Sequence, residues 1–281
     1  MSMKRKIVII TDCTDVAFLE IRGAIYSNIV NTNENYEIEP IVKVDNYNIT
    51  NTSFLVRLIA EIYPYGTLIN VVVHPSKRRG ERIVGRTEKK GIIFEGTNTG
   101  AFGWLLKDFG CSELYEIDDK GFVPFGGKYI HAPVVGKIIS GSPLYGFGKV
   151  FGISEIRDVD RSDGTILHID NFGNVKFVGD IMGKKGDRYT VAIGKKRYQA
   201  VYCDRMMDMD DGELVIYPGS SLGFPEIGIV RGNAAEILDI KWTDKIILEM
   251  RWMTIMAKKQ KDNDIKDKGK YRNRLFHTTY S

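Results

Sequence analysis

The sequence predicts two domains, a mostly parallel α/β domain followed by a smaller antiparallel β domain. Its 281 residues are about twice the ~150 of a typical single domain. In the first half, strand-like apolar runs alternate with amphipathic stretches, which is typical of a sheet with helices on its faces. In the second half, short segments of alternating polarity lie between turn residues and indicate a small barrel or sandwich. We expect domains at 1–145 and 164–256, a linker at 146–163 and a basic tail at 257–281.

Each element of the two domains is marked by its residue pattern. In the first domain, β-branched runs predict strands at 6–11, 36–44, 67–73, 82–86 and 91–94. Amphipathic stretches predict helices at 15–30, 53–62, 101–109 and 132–140. In the second domain, alternation at 164–170, 188–193, 197–203, 213–217, 226–230 and 245–250 predicts short strands separated by Gly-Lys, Asp-Asp-Gly and Pro-Gly-Ser-Ser turns.

Composition excludes several classes of protein. With 43% hydrophobic and 27% charged residues, the chain can bury a sizeable core, unlike a disordered or fibrous protein. No apolar run approaches the ~18 residues that cross a bilayer. Because Thr11-Asp-Cys-Thr-Asp15 interrupts the apolar run that a signal peptide needs, we expect a cytoplasmic protein. Three widely separated cysteines, Cys13, Cys111 and Cys203, form neither a disulfide framework nor a metal-binding motif.

Positive charge is concentrated at the C-terminal end. Residues 257–281 carry eight Lys or Arg against three Asp, whereas the whole chain has a net charge of +4, so the body is nearly neutral. Such a run is typical of a solvated terminus, and the alternative is a nucleic-acid contact through residues 258–274. We expect no nucleic-acid partner and no membrane partner.

The motifs of several enzyme classes are absent. There is no GxxxxGK[ST] phosphate loop and no GxSxG nucleophile elbow, and the glycines of 146–152 do not form a dinucleotide-binding motif. The histidines His74, His131, His168 and His277 lack metal-binding spacing. The sequence therefore predicts neither a metal site nor a bound cofactor.

Two aspartates follow the first predicted strand, where an open α/β sheet presents polar groups to ligands. A carboxylate accepts hydrogen bonds only, so Asp12 and Asp15 suit the vicinal hydroxyls of a ribose. The alternative is structural: Asp15 caps the first helix and Asp12 satisfies the turn. The residues alone leave both interpretations open.

A second polar cluster, Asp170-Asn-Phe-Gly-Asn174, ends a strand of the second domain. Its carboxylate, aromatic face and amide suit a flat heterocycle that carries a cation, and the alternative is an ordinary β-turn. The Gly-containing segments Pro218-Gly-Ser-Ser-Leu-Gly223 and Arg231-Gly-Asn-Ala-Ala235 allow the same two interpretations. They are either loops that present backbone donors to a ligand or merely turns.

Taken in order, these segments resemble the motifs of the S-adenosylmethionine (SAM) hydroxide adenosyltransferase family, which includes fluorinating and chlorinating enzymes. Ile10-Thr-Asp-Cys-Thr-Asp15 and Ile21-Arg-Gly-Ala-Ile25 are similar to its opening TDFGxxD and MKG. The resemblance continues to the family's FPxGTV, VVDP, GPDNG and GRDIFAP in Tyr63-Pro-Tyr-Gly-Thr-Leu68, Val72-Val-His-Pro75, Gly96-Thr-Asn-Thr-Gly100 and Gly127-Lys-Tyr-Ile-His-Ala-Pro133. In the second domain, Ile169-Asp-Asn-Phe-Gly-Asn174 matches IDxFGN, and 219–235 resembles GSxGxLEIAVNxGNAA.

The resemblance implies an α/β domain, a C-terminal β-barrel and a homotrimer. SAM or adenosine would bind between the first domain of one subunit and the second domain of its neighbour. In this assignment Asp12 holds the ribose diol, and Asp15 and Asp170 lie near the methionine ammonium group.

The remaining implied binding residues recognise the adenine and the methionine carboxylate. Phe172 would stack on adenine, while Asn174 and the backbone around Asn233 and Ala234 would contact its polar edge. Ser220 would receive the carboxylate.

The implied reaction is an attack of water on the ribose C5′ carbon that displaces methionine and gives adenosine. The family handles this water with an Asp, an Arg and a His, and the sequence departs at each position. His74 replaces the aspartate of VVDP, Glu81 precedes Arg82 in the arginine pair, and Gly126 replaces the histidine. Either His74, Arg82 and His131 form a rearranged catalytic group, or the site binds the nucleoside without turning it over. Because the long first-domain insertion of the halogenating relatives is absent, SAM hydrolysis is the favoured activity.

Overall fold

The computed structural model describes residues 4–30, 36–74, 80–119, 121 and 123–250. It divides the chain into two compact units, Met1–Arg161 and Ser162–Ser281. The basic tail expected at 257–281 lies outside the described residues, as does its alternative role in contacting nucleic acid. Among the described residues, no helix combines the length and the apolar character that crossing a membrane requires.

The first unit is built on an eight-stranded sheet with a parallel half and an antiparallel half. Strands β1, β2, β3, β4 and β6 form the parallel half. Strand β5 pairs antiparallel with β6 and β7, and β7 pairs antiparallel with β8, so the expectation of a mostly parallel sheet holds for one half only. The spatial order is β2-β1-β4-β6-β5-β7-β8, with β3 also paired to β1. The strands are β1 Arg5–Thr11, β2 Tyr36–Ile38, β3 Val42–Lys43, β4 Leu68–Val72, β5 Arg82–Arg86, β6 Ile93–Thr97, β7 Glu113–Ile117 and β8 Gly148–Val150.

Helices cover both faces of this sheet. They are α1 Val16–Ser27, α2 Ile49–Ile62, α3 Gly103–Phe109 and α4 Ala132–Ile139, and a π-helical turn, Gly127–His131, leads directly into α4. Because side chains alternate along a strand, Val8 and Ile10 of β1 pack in the core of α2 and α3. Ile7 and Ile9 pack on the other face with α1 and α4. Two separate apolar cores therefore fix the sheet from both sides.

The predicted elements of the first unit differ most from the structure at three places, and α2 also begins at Ile49, four residues before its predicted start. The strand expected at 36–44 is split into β2 and β3 around Pro40, because proline cannot donate to the ladder. Strand β7 was not predicted. Strand β8 lies inside the segment expected as a linker and pairs with β7.

The second unit is a seven-stranded sheet in the order β15-β11-β12-β13-β14-β10-β9. An isolated bridge between Thr165 and Lys245 joins residues beside the two edge strands, so the sheet curls into a half-barrel. One pair, β12 with β13, is parallel, which corrects the expectation of a wholly antiparallel domain. The elements are β9 Ile166–Ile169, β10 Val175–Phe177, β11 Arg188–Ile193, β12 Lys196–Tyr202, β13 Leu214–Pro218, β14 Pro225–Ile229, helix α5 Ala234–Ile237 and β15 Ile246–Met250.

Candidate functional site

Polar residues of the first unit gather where three parallel strands end. The register pairs Thr11 with Val72 and Val71 with Gly96, so β1, β4 and β6 end side by side. Open α/β sheets bind ligands at this carboxyl edge. A cavity of 220 Å³ lies there, and its lining brings together the three predicted catalytic residues His74, Arg82 and His131.

His131 is held in the cavity wall by a buried carboxylate. Its Nδ1 lies 2.5 Å from Oε1 of Glu95, a residue of β6 with no exposed surface. Because a carboxylate only accepts, Nδ1 carries the proton and Nε2 is left as the basic nitrogen. Nε2 lies 3.4 Å from Oγ1 of Thr97, which also lines the cavity.

A second donor satisfies the other oxygen of Glu95. The side-chain amide of Asn70 on β4 donates to Glu95 Oε2, and Asn70 is itself fully buried. We call Asn70, Glu95 and His131 the buried polar cluster. Burying a carboxylate is costly unless donors compensate it, so this cluster within an apolar sheet indicates a purpose beyond packing.

Sequence reasoning missed Glu95 and Asn70. The predicted third and fifth strands contain or adjoin them, but a charged residue in a buried strand breaks the apolar pattern on which strand prediction depends. In the structure, the π-helical turn that ends at His131 marks this region, because such turns are frequent at functional sites.

Arg82 occupies the space beside Gly126. A Cβ at Gly126 would lie 3.1 Å from Nη2 of Arg82, so the guanidinium fills the position that a larger residue would need. Arg82 is 6% exposed, and its Nη1 donates to the carboxylate of Asp119. The ion pair compensates the buried cation.

Asp12 and His74 are in direct contact. Nδ1 of His74 lies 3.0 Å from Asp12 Oδ1, and the backbone amide of His74 donates to Oδ2 of the same carboxylate over 3.1 Å. The Asp12 side chain is only 2% exposed, whereas that of His74 is 57% exposed. Asp12 also accepts from the backbone amide of Tyr47 over 3.2 Å, so it ties three segments together.

Cys13 and Asp15 follow Asp12 in the sequence and have different surroundings. The Asp15 side chain accepts from the backbone amide of Ala17 over 3.0 Å and caps α1, which confirms the structural interpretation of this residue. Its contact with a methionine ammonium group stays a prediction. Cys13 is buried, and this burial raises the pKa of its thiol.

A larger cavity of 750 Å³ lies on the other side of Arg82. Its acidic lining consists of Glu81, Glu116, Asp118 and Asp119, and three of these pair with a cation: Glu81 with Arg157, Glu116 with Lys149 and Asp119 with Arg82. Most of the acidic charge is therefore compensated. Since no histidine or cysteine is among its described lining residues, the smaller cavity is the better candidate for chemistry.

In the second unit, the turn 170–174 connects β9 to β10 and displays an aromatic ring. Oδ1 of Asp170 accepts from the backbone amides of Phe172 and Asn174, both over 2.9 Å, and Oδ2 accepts from the Asn174 side chain over 3.0 Å. These bonds support the β-turn interpretation of Asp170. Phe172, within the same turn, is 69% exposed. Oδ1 of Asn174 has no hydrogen-bond partner within the described part of the chain.

Gly173 joins this turn to the segment that contains Asn233 and Ala234. It has a φ of 82°, and a Cβ there would overlap the side-chain oxygen of Asn233. The Gly173 carbonyl accepts from the backbone amide of Ala235 over 2.9 Å, while the Asn233 side chain caps α5. The structure thus brings together five of the six predicted ligand residues of this unit, namely Asp170, Phe172, Asn174, Asn233 and Ala234.

Ser220 lies apart from that group. It lies in the turn between β13 and β14, whereas Asn174 lies beside Gly228 near the far end of β14. The two places are therefore at opposite ends of β14.

Comparisons with known proteins agree with this pair of units. Residues 7–148 match the profile of the SAM hydroxide adenosyltransferase N-terminal domain, and residues 164–247 match that of the SAM hydroxide adenosyltransferase C-terminal domain. The chain belongs to the SAM hydroxide adenosyltransferase family. It is 22% identical over 238 residues to an (R)-S-adenosyl-L-methionine hydrolase of Methanocaldococcus jannaschii, and the match covers 80% of this chain and 89% of that relative.

Two solved structures share the fold of this family member. An uncharacterized conserved protein from Thermotoga maritima aligns with a TM-score of 0.74 at 24% identity, covering 86% of this chain and 100% of that one. A conserved hypothetical protein from Thermus thermophilus aligns with a TM-score of 0.66 at 17% identity, covering 88% of this chain and 100% of that one. At these identities the likeness shows the fold alone.

Proposed function

We propose that the protein binds SAM and hydrolyses it to adenosine and methionine, with His131 as the base that activates water. The observation that carries the proposal is the Glu95–His131 pair in the wall of the carboxyl-edge cavity, in a chain that belongs to the SAM hydroxide adenosyltransferase family. A carboxylate that fixes Nδ1 sets both the orientation and the tautomer of the ring, which makes Nε2 a positioned proton acceptor.

In the proposed step, the water oxygen forms a bond to C5′ while the bond from C5′ to sulfur breaks. The sulfur keeps the bonding electrons and leaves as the neutral thioether of methionine, and the proton of the water passes to Nε2 of His131. The balance is SAM and water to adenosine, methionine and one proton. Because the cavity of 220 Å³ is smaller than the ~300 Å³ of a small ligand pocket, it suits the attacking water and the ribose end of SAM.

Arg82 and His74 line the same cavity as His131. We assign to Arg82 a hydrogen bond to the attacking oxygen, since its buried guanidinium is already fixed by Asp119. A direct catalytic part for His74 stays a prediction, because its Nδ1 faces Asp12 and its ring is exposed. The contact of Asp12 with the ribose diol stays a prediction too.

The half-barrel residues are proposed to bind the ends of the ligand. Phe172 offers an exposed ring for stacking on adenine, and the Asn174 side chain and the backbone around Asn233 and Ala234 would contact its polar edge. Ser220, in the turn between β13 and β14, would take the methionine carboxylate. We further propose that these residues act on the cavity of a neighbouring subunit in a homotrimer, as the family resemblance implies.

Replacing Phe172 with alanine is expected to weaken adenosine binding by roughly 5- to 150-fold, since stacking of a base on an aromatic ring contributes about 1–3 kcal/mol. Calorimetric titration measures the change. Tyr65→Ala is the matched control, because Tyr65 is 75% exposed in the first unit and has no assigned role. Equal affinity of the Phe172 variant and the unchanged protein would place the adenine elsewhere.

Hydrolysis is tested by incubating the purified protein with SAM and separating the products by chromatography. Adenosine and methionine are expected in equal amounts, and in ¹⁸O-labelled water the label is expected at the 5′ oxygen of adenosine. Calorimetric binding without any adenosine above a protein-free control would contradict hydrolysis. That result would favour the alternative function, a SAM or adenosine binder without turnover, to which the altered family positions also point.

A further inference from the structure

Three groups of different chemistry converge beside the cavity. Asp12 and Cys13 directly follow β1, and His74 follows the adjacent parallel strand β4. Asp12 Oδ1 lies 3.0 Å from His74 Nδ1 and 3.8 Å from Cys13 Sγ. The third side of the triangle, from Cys13 Sγ to His74 Nδ1, is 3.9 Å.

These distances agree with the edges of a tetrahedral metal site. Zinc binds nitrogen and oxygen at about 2.0–2.2 Å and sulfur at about 2.3 Å, which gives edges of about 3.4 Å between nitrogen and oxygen and about 3.6 Å to sulfur. The three observed edges differ from these values by about 0.4 Å or less. We propose that Asp12, Cys13 and His74 form a three-residue site for a soft divalent cation of the zinc class.

The surrounding backbone already holds the carboxylate in a ligating position. Oδ2 of Asp12 accepts the backbone amide hydrogen of Tyr47, and the backbone amide of His74 is shared between Oδ2 at 3.1 Å and Oδ1 at 3.3 Å. Oδ1 is the oxygen that faces the thiol and the imidazole. The backbone of Cys13 donates to Oγ1 of Thr11 over 2.9 Å, and Thr11 in turn donates to the Val72 carbonyl over 2.6 Å. Outer contacts of this kind fix the orientation of metal ligands.

The donor set selects the class of cation. A thiolate and an imidazole favour zinc and related soft or borderline metals, whereas magnesium and calcium prefer sites made of oxygen ligands only. Cys13 and His74 also line the cavity of 220 Å³, so a fourth ligand such as water has room to bind. Sites with three protein ligands and one exchangeable position are typical of catalytic rather than structural zinc.

Cobalt(II) is a suitable probe because it takes tetrahedral zinc sites and gives a visible spectrum. Untagged protein, first treated with a chelator, is titrated with cobalt(II) chloride and then with zinc chloride. We expect one equivalent of cobalt to bind with a thiolate charge-transfer band in the near ultraviolet, and zinc to abolish that band. Absence of the band would overturn the proposal.

Variants assign the ligands. Cys13→Ser is expected to remove the charge-transfer band, and His74→Gln to weaken cobalt binding at least tenfold. Cys203→Ser, which changes a buried cysteine of the second unit, is the matched control and is expected to retain the band. Retention of the band by the Cys13 variant, or its loss in the Cys203 variant, would overturn the assignment.

A measurement on the unchanged protein covers the case in which these variants fail to fold. One equivalent of zinc, added to the chelator-treated protein, is expected to raise its melting temperature, and no shift would contradict the site. All these readouts are independent of SAM. Failure of the metal site and failure of the hydrolysis proposal are therefore distinguishable.

Discussion

A triple variant that makes the buried polar cluster apolar, Asn70→Val with Glu95→Leu and His131→Phe, is expected to fold and to release adenosine about 10²–10⁴-fold more slowly. The reason is that the variant removes the proposed base together with the carboxylate that orients it. Its affinity for SAM should change little, because the proposed ligand contacts lie at other residues. The measurements are turnover at saturating SAM and calorimetric binding.

A histidine outside the cavity provides the control for this prediction. His168 lies on β9 of the second unit, and burial lowers the pKa of its imidazole. His168→Gln is expected to retain turnover. If instead the triple variant hydrolyses SAM at the rate of the unchanged protein, His131 is not the base and another group, such as His74, must activate the water.

Replacing only Glu95 with leucine is expected to lower the free energy of unfolding by about 3–5 kcal/mol, a loss typical of a buried pair left with one partner. The substitution leaves the His131 and Asn70 donors buried without their acceptor. The triple variant should recover most of this loss, because apolar residues of similar volume need no partner.

Urea denaturation of both variants tests this expectation. A triple variant that is more stable than Glu95→Leu identifies one coupled cluster, since losses of unfolding free energy at independent sites would simply add. If the triple variant loses as much stability as Glu95→Leu, or more, the cluster is not the coupled unit that the geometry indicates.

The sequence predicted most elements of the fold where residue pattern and burial agree. Strands β1 and β4 are largely buried apolar runs, and both were expected within one residue or so of their observed bounds. Strand β7 has the sequence Glu-Leu-Tyr-Glu-Ile, and its two carboxylates interrupt the apolar pattern from which strands are predicted. Strand β10 has only three residues, Val175–Phe177, and is too short to be distinguished from a turn.

The site was less predictable because its contacts join distant parts of the chain. Glu95 and His131 are separated by 36 positions, and Cys13 and His74 by 61. Spacing rules detect metal and catalytic groups within one helix or loop, so the absence of such spacing led to the expectation of no metal site. Parallel strands bring their ends together regardless of distance in sequence, and this edge is where the ligating and basic side chains meet.

The correspondence of family motifs supplied the candidate binding residues and the candidate catalytic residues. It drew attention to His74, Arg82 and His131, which the structure places around one cavity. It did not identify Glu95, the carboxylate that contacts Nδ1 of His131. A residue whose only signal is a charge in the middle of an apolar strand needs a structure to reveal its partner.

The tight contact at Gly173 has a thermodynamic consequence for any occupant of the half-barrel. With no space for a side chain there, the aromatic turn and the Asn233 cap are interlocked before a ligand arrives. Little conformational entropy then remains to be lost when the proposed ligand binds, so this surface is preorganised. A side chain at this one position would displace Asn233 and loosen the surface, and it is therefore expected to weaken the proposed binding of adenine.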